Sequence, residues 1–412
     1  MSTSASPAAG RVAFRYPSFR YLVSARFLAA ASSEMQAVGV AWQIYGMTGR
    51  PLDLGLVGLA QFLPGIFLFL IVGHVIDRFP RRTIVIISSA AFAGCSLALL
   101  ALTVHGLRTV WPVYAVLLLN GVVRAFHTPA HQALVPQIVP QEHFPNAVSW
   151  GSSIFQTAMF VGPTIGGLLY GMTGSPLPVY ACAASAYVAA LALLTAVKVA
   201  APPRAKKAVS MAVVLEGMRY LRRNSLLLGA TSLDLFAVLL GGAVALLPVY
   251  ASDILHVGAR GLGVLRAAPG VGAVLTALFI AHHPLRRRVG AIMLWCVCGF
   301  GLMTVVFGLS RNVALSLGAL VLVGACDMVS VIVRHTLIQM RTPDEMRGRV
   351  SAVNMVFLSA SNEVGQFESG ITAQWMGTVP AVVAGGVGTI LVVLLWSRLF
   401  PALRKAEQLT QE

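Results

Sequence analysis

Apolar runs long enough to cross a bilayer recur about twelve times along this 412-residue chain, and no other feature constrains its fold so tightly. The runs lie at roughly 21–45, 54–75, 83–103, 111–133, 147–171 and 177–197, then 226–250, 260–281, 290–309, 313–338, 350–376 and 380–397. Charged residues make up 11% of the chain, against roughly 25% in a soluble domain, so most of its surface cannot face water. The expected fold is an all-α integral membrane protein of twelve transmembrane helices. The first twenty residues carry basic side chains but no apolar core ending in a small-residue cleavage site, so a removable signal peptide is not expected.

A net charge of +16 invites a nucleic-acid reading, and its distribution argues against one. Of the 30 Lys and Arg residues, 22 fall in the terminal segments and in the loops on one side of the span pattern. The opposite loops hold Arg50, Arg108, Arg260 and Arg311. That asymmetry is the positive-inside rule, which places both termini in the cytoplasm and makes the lipid bilayer the partner. Cys95, Cys182, Cys296, Cys298 and Cys326 all fall inside predicted spans, where buried small apolar residues are expected rather than a disulfide framework or a zinc site.

The long interruption at 200–225 is basic, contains prolines, and ends in a segment that reads as an amphipathic helix. It separates an N-terminal six-helix bundle (1–199) from a C-terminal one with a short tail (226–412). The halves look related. VPQEHFPNAVSW (139–150) and TPDEMRGRVSAVN (342–354) both place Pro-x-Glu ahead of Val-Ser, and DRFPRR (77–82) pairs with HHPLRRR (282–288) at a similar offset. Six plus six by duplication is a common plan of secondary transporters.

Ionisable groups within spans are expensive and mark paired interhelical contacts or a solvated path. Arg26, Arg124, Arg266 and Arg334 are embedded, as are Glu34, Asp234, Asp327, Glu363 and Glu368. Spans three, six, nine and twelve carry none away from their ends, so every third helix is fit to face lipid. Asp327 and Arg334 are seven apart and share a helix face; Glu363 and Gln366 share another, while Glu368 diverges from Glu363. A solvated path is the reading favoured for the set. For any one group a structural ion pair remains an even alternative.

GHVIDRFPRR (73–82) fits Gly-x-x-x-Asp-Arg-x-x-Arg-Arg and resembles the signature loop between helices two and three of the major facilitator superfamily. Gly73 permits close helix approach, Asp77 can accept hydrogen bonds, and Arg78, Arg81 and Arg82 suit the cytoplasmic face. The resemblance implies that these five residues serve as gate elements and that the fold is the family's two six-helix halves. Pro80 stands where the family has Gly, and proline cannot adopt a positive φ. Arg124 resembles a family arginine linked to proton movement. GPTIGG resembles the core of the signature of the family's antiporters, with Gly162, Pro163, Gly166 and Gly167 as a packing motif and AAPGVGA (267–273) as a candidate partner surface. The stretches 232–273, 128–140 and 346–370 are similar to the enterobactin-exporter-like branch of the superfamily.

No Gly is followed by Lys, so no phosphate loop couples ATP hydrolysis, and energy is expected from a proton gradient without a cofactor. His127 and His131 are four apart without a third ligand nearby, which reads as a polar face near a loop rather than a metal pair. The expected function is proton-coupled efflux of a small amphipathic molecule by alternating access across a cavity between the halves. Glu34, Asp234, Asp327, Glu363 and Glu368 are the candidates for proton or substrate handling, with Arg124 and Arg334 as charge partners. The resemblance implies a monomer. An importer on the same fold, and a membrane enzyme or lipid-handling protein, are the alternatives; the second lacks any hydrolytic constellation.

Overall fold

Every element of the computed structural model, which describes residues 9–199, 211–283 and 288–406, is helical. Part of the predicted linker (200–210), the amino-terminal ribbon through Ala8, and two arginines of the second basic loop lie outside the described residues. The helices of the first half are α1 (Pro17–Thr48), α2 (Pro51–Arg78), α3 (Arg81–Val104), α4 (Trp111–Leu134), α5 (Phe144–Thr173) and α6 (Leu177–Thr195). An amphipathic helix, α7 (Met211–Arg223), precedes α8 (Ser225–Leu240), α9 (Gly258–His282), α10 (Val289–Leu309), α11 (Val313–Arg341), α12 (Asp344–Met376) and α13 (Thr378–Leu399). With α7 set apart, twelve helices remain at the twelve predicted spans.

Eight of these, with α8 carried on through the segment to Ile254, are apolar and long enough to cross a membrane by length and composition. The other four, α1, α4, α5 and α12, run 32, 24, 30 and 33 residues. At 1.5 Å per residue each exceeds the roughly 30 Å of hydrocarbon, and polar side chains alone hold their hydropathy down. The exposed residues agree with a lipid surroundings: Phe67, Trp111, Trp295 and Trp375 are all more than 70% exposed, an arrangement that would drive aggregation in water. The charge-poor helices α3, α6, α10 and α13 each present apolar side chains outward, Ile87, Val188, Leu302 and Leu391 among them.

The helices pack into two compact units, one of Met1–Val40 with Leu63–Ala208 and one of Ala41–Phe62 with Val209–Glu412. In the first, α3 lies between α4 and α6. Leu22, Ile84, Val85, Ala130, Leu134, Ala190 and Leu194 form its main core, and Ser96 donates to Gln36 across α3 and α1 at 2.5 Å. In the second, α10 packs on α11 and α13, and α9 packs on α11. The predicted single span 226–250 is broken there. The chain leaves α8 at Gly241–Gly242, passes through a short 3-10 segment (Ala243–Leu246), and ends in a π turn (Tyr250–Ile254). Glycines make the break fit, since Gly242 and Gly365 bring it against α12, and Gly385 lies on the Leu240 carbonyl. Asp253, in that π turn, accepts from the Tyr45 hydroxyl at the end of α1. α7 docks on the start of α12 through buried Leu221, Gly217 against the Arg349 backbone, and a 2.7 Å Arg349–Glu216 bridge.

A tight crossing is that of α9 and α11, where a side chain on Gly324 would strike the Pro269 backbone and one on Gly272 the Val321 carbonyl. Gly318, on the same α11, has nothing within 4 Å of where its side chain would begin. Gly324→Ala is expected to cost about 1–3 kcal/mol by overpacking, whereas Gly318→Ala should be neutral or slightly stabilising. Thermal unfolding of the detergent-solubilised full chain reads both, and equal melting temperatures for the two variants would refute the assignment of the crossing.

Candidate functional site

Asp234 lies midway along α8 and Arg334 near the end of α11, and both are 2% exposed. Arg334 Nη1 pairs with Asp234 Oδ2, while Ser330, one turn earlier on α11, donates to Asp234 Oδ1 at 3.1 Å. The 327–330–334 spacing puts Asp327, Ser330 and Arg334 on one face of α11. Asp327, Ser330 and Asp234 line a cavity of about 10 Å³ walled by Ala237, Val238, Val297, Phe300 and Cys326. That is about the room of a single water. The site therefore holds two carboxylates and one guanidinium. Asp234 takes the guanidinium, and Asp327 has no hydrogen-bond or ion-pair partner among the described residues. Arg334 in turn keeps Nε and Nη2 buried without an acceptor among the described residues.

The remaining candidates are dispersed. Glu363 is buried on α12, and Glu368 accepts from Thr372 at 2.9 Å one turn further along; neither lines the Asp327 cavity. Buried Ser369 and half-buried Gln366 flank the glycines where α12 meets Gly242 and Gly58. Glu34 is half-buried on α1 and Arg124 is exposed on α4. Gly162 and Gly166 bring α5 onto α1, with Gly162 against Ala31 and Glu34 and Gly166 against Met35. Pro163 lies within the continuous α5, and Gly167 follows on the same helix.

The basic loop residues have a definite local task. Arg81 donates to the Ala133 carbonyl at 3.1 Å and Arg82 to the Thr195 carbonyl at 2.7 Å, in the last turns of α4 and α6. Those carbonyls have no intrahelical donor, and a cation there also meets the negative end of the helix dipole. Pro80 begins α3 with φ −58°, so the turn from α2 needs no positive φ. Gly73 is half-buried and Arg78 exposed, and the side chain of Asp77 lies outside the described residues.

Three features escaped the sequence reading. Ser330 was the missing link between Asp327 and Arg334, and its i+3 spacing was the available signal. The break after α8 was announced by Gly241–Gly242 with Pro248 following. His131, expected on a polar face, is 6% exposed, with its ring 5.9 Å from that of His127. Its helix neighbours Ala130 and Leu134 belong to the buried core that α4 shares with α1 and α2.

Helices that expose apolar side chains and bury the Asp234–Arg334 pair between them fit a multi-pass membrane protein, and its family and relatives make it a transporter of the major facilitator type rather than an enzyme. Over residues 8–412 the chain matches the family described as transmembrane secretion effector, and it belongs to that family. It is 27% identical over 399 residues to the enterobactin exporter EntS of Shigella boydii serotype 4 (strain Sb227), covering 95% of this chain and 94% of that protein. Its fold is similar to that of the peptide transporter POT, with a TM-score of 0.73 at 11% identity over 96% of both chains. It is likewise similar to a bacterial homologue of the iron transporter ferroportin in an inward-facing state, at 0.70 and 15% identity over 94% of this chain and 98% of that one.

Breaking a buried ion pair by removing one partner leaves an uncompensated charge, at a cost of about 3–5 kcal/mol, whereas replacing both by apolar residues is often neutral. Arg334→Met alone is therefore expected to destabilise the chain strongly, and Arg334→Met with Asp234→Leu to recover most of the loss. Denaturant unfolding of the single and double variants measures the coupling, and strictly additive losses would show that the two residues do not act as a pair.

Proposed function

We propose that this chain exports a small amphipathic molecule across a bacterial inner membrane in exchange for protons, by alternating access and without a cofactor. The observation that carries the reading is the arithmetic of the α8–α11 site, where Asp327 has no hydrogen-bond or ion-pair partner among the described residues and stands beside an Asp234–Arg334 pair that has already claimed the one guanidinium there. An ionised carboxylate in that place is unstable against either taking a proton or drawing the arginine toward itself. With the proton on, Arg334 stays with Asp234. With the proton off, Arg334 is shared between two carboxylates on facing helices, and the α8–α11 contact has a second arrangement available. A proton that biases two packings of one helix pair is what coupling to a conformational cycle requires. The outward direction is supported by the printed activity of the enterobactin exporter relative. The clustering of Lys and Arg in one set of loops supports cytoplasmic termini.

In proteoliposomes bearing an imposed pH gradient, enterobactin is the first compound to add, followed by a panel of amphipathic acids. Asp327→Asn is expected to lose substrate-dependent proton flux by at least about tenfold, the scale of one lost charge-assisted interaction. The same variant should retain substrate exchange at equal pH, because exchange moves no net proton. Undiminished proton flux in Asp327→Asn would remove this residue from the coupling step.

A further inference from the structure

A second site stands in the first packing unit. A cavity of about 230 Å³ lies among α1, α4 and α5. Its walls are mostly apolar, with Phe19, Leu22, Val23 and Val135 among them, and its polar groups are few: Arg26, His131, Gln132 and Ser152. Arg26 is half-buried and pairs with no carboxylate among the described residues; its guanidinium lies over the Phe155 ring at 5.0 Å. Gly151 leaves it room, since a side chain there would begin 3.3 Å from Nη1. The His131 ring is hydrogen-bonded to the backbone of Leu22, and its Nε2 is buried without a partner among the described residues. A neutral imidazole that donates through one nitrogen offers a lone pair at the other. The cavity thus combines a fixed cation oriented by an aromatic face, a buried acceptor, and apolar walls.

We propose that this α1–α4–α5 cavity binds an aromatic acid, with its anionic group on Arg26 and a ring hydroxyl donating to His131 Nε2. The proposal deepens the export reading, on which it rests for the direction of movement. The volume falls below the roughly 300–1,000 Å³ of sites that enclose a drug-sized molecule, so the cavity takes one ring with its substituents. A guanidinium cannot shed its proton, so an anion is the only neutralising partner open to Arg26. A larger cargo would insert one acidic ring here and leave the rest of itself outside.

The probe is 3-hydroxybenzoate, whose two groups cannot bond each other, titrated by saturation-transfer NMR against the purified full chain in lipid nanodiscs. Its methyl ester removes the charge, and 3-methoxybenzoate removes the donor. On the unaltered chain the acid should bind at least about tenfold more tightly than the ester, as expected for a hydrogen bond to a charged group. Arg26→Gln should abolish that preference. His131→Phe should instead erase only the difference between 3-hydroxybenzoate and 3-methoxybenzoate. Gly151→Leu, which fills the space beside Nη1, should weaken every acid. Equal binding of acid and ester to the unaltered chain overturns the site without any variant having to fold, as does unchanged acid binding by a monodisperse Arg26→Gln protein. Either failure leaves proton-coupled export standing, because that is read at Asp327 by proton flux.

Discussion

Hydrocarbon supplies no hydrogen bonds, so each ion carried into a span must find its counter-group within the protein or in what enters it. The buried Asp234–Arg334 pair is how the second unit meets that demand between α8 and α11. Its consequences spread outward. The pair ties α8 to α11 and goes with the placing of Asp327 and Ser330 beside the same small cavity. Main-chain polarity is handled by the same rule: Arg81 and Arg82 close the carbonyl ends of α4 and α6, and Asn224 and Asn312 accept from the first free amides of α8 and α11.

Between helices the hydrophobic effect gives little guidance, because lipid tails are as apolar as the side chains that face them. Close approach does the work instead. Gly162 and Gly166 let α5 rest on the α1 backbone, Gly272 and Gly324 do so for α9 and α11, and Gly55 meets Gly370 where the start of α2 crosses α12. The broken span after α8 depends on the same device. A chain that leaves helical geometry at Gly241–Gly242 exposes amides and carbonyls that lipid could not satisfy, and α12 covers them with Gly365 and Ser369. The most polar helix therefore packs against the least regular one.

This explains what could be read from the chain and what could not. Span number and the charge-poor faces of α3, α6, α10 and α13 follow from hydropathy, a property of each segment alone. Arg81 and Arg82 were legible as anchors, since their clustering is local, but which carbonyls they hold depends on where α4 and α6 end. Asp234 and Arg334 were each visible as embedded charges, yet they are a hundred positions apart, and no periodicity within one helix reports a partner on another. Asp327 and Arg334 shared a face in the sequence. What the sequence concealed was that the arginine had gone to Asp234. His131 was misjudged for a related reason: polarity marked a polar face near a loop, while the fold buries the side chain to 6% exposure.

Asp327 and Arg26 are not equivalent, and chemistry separates their roles. Asp327 and Arg26 each stand in an apolar span without a protein counter-ion among the described residues. A carboxylate in that position can become neutral by accepting a proton, which is small, abundant on both sides of the membrane, and needs no cavity beyond the size of a water. A guanidinium has no such exit, because it stays charged at any pH the cell reaches. It needs an anion of its own, and the space beside it must admit one. The cavities match these requirements, at about 10 Å³ beside Asp327 and about 230 Å³ beside Arg26. Had the residues been exchanged, the small cavity would have held a cation that nothing could neutralise. The large one would have held a carboxylate for which any proton would do, with no selection for an anionic cargo.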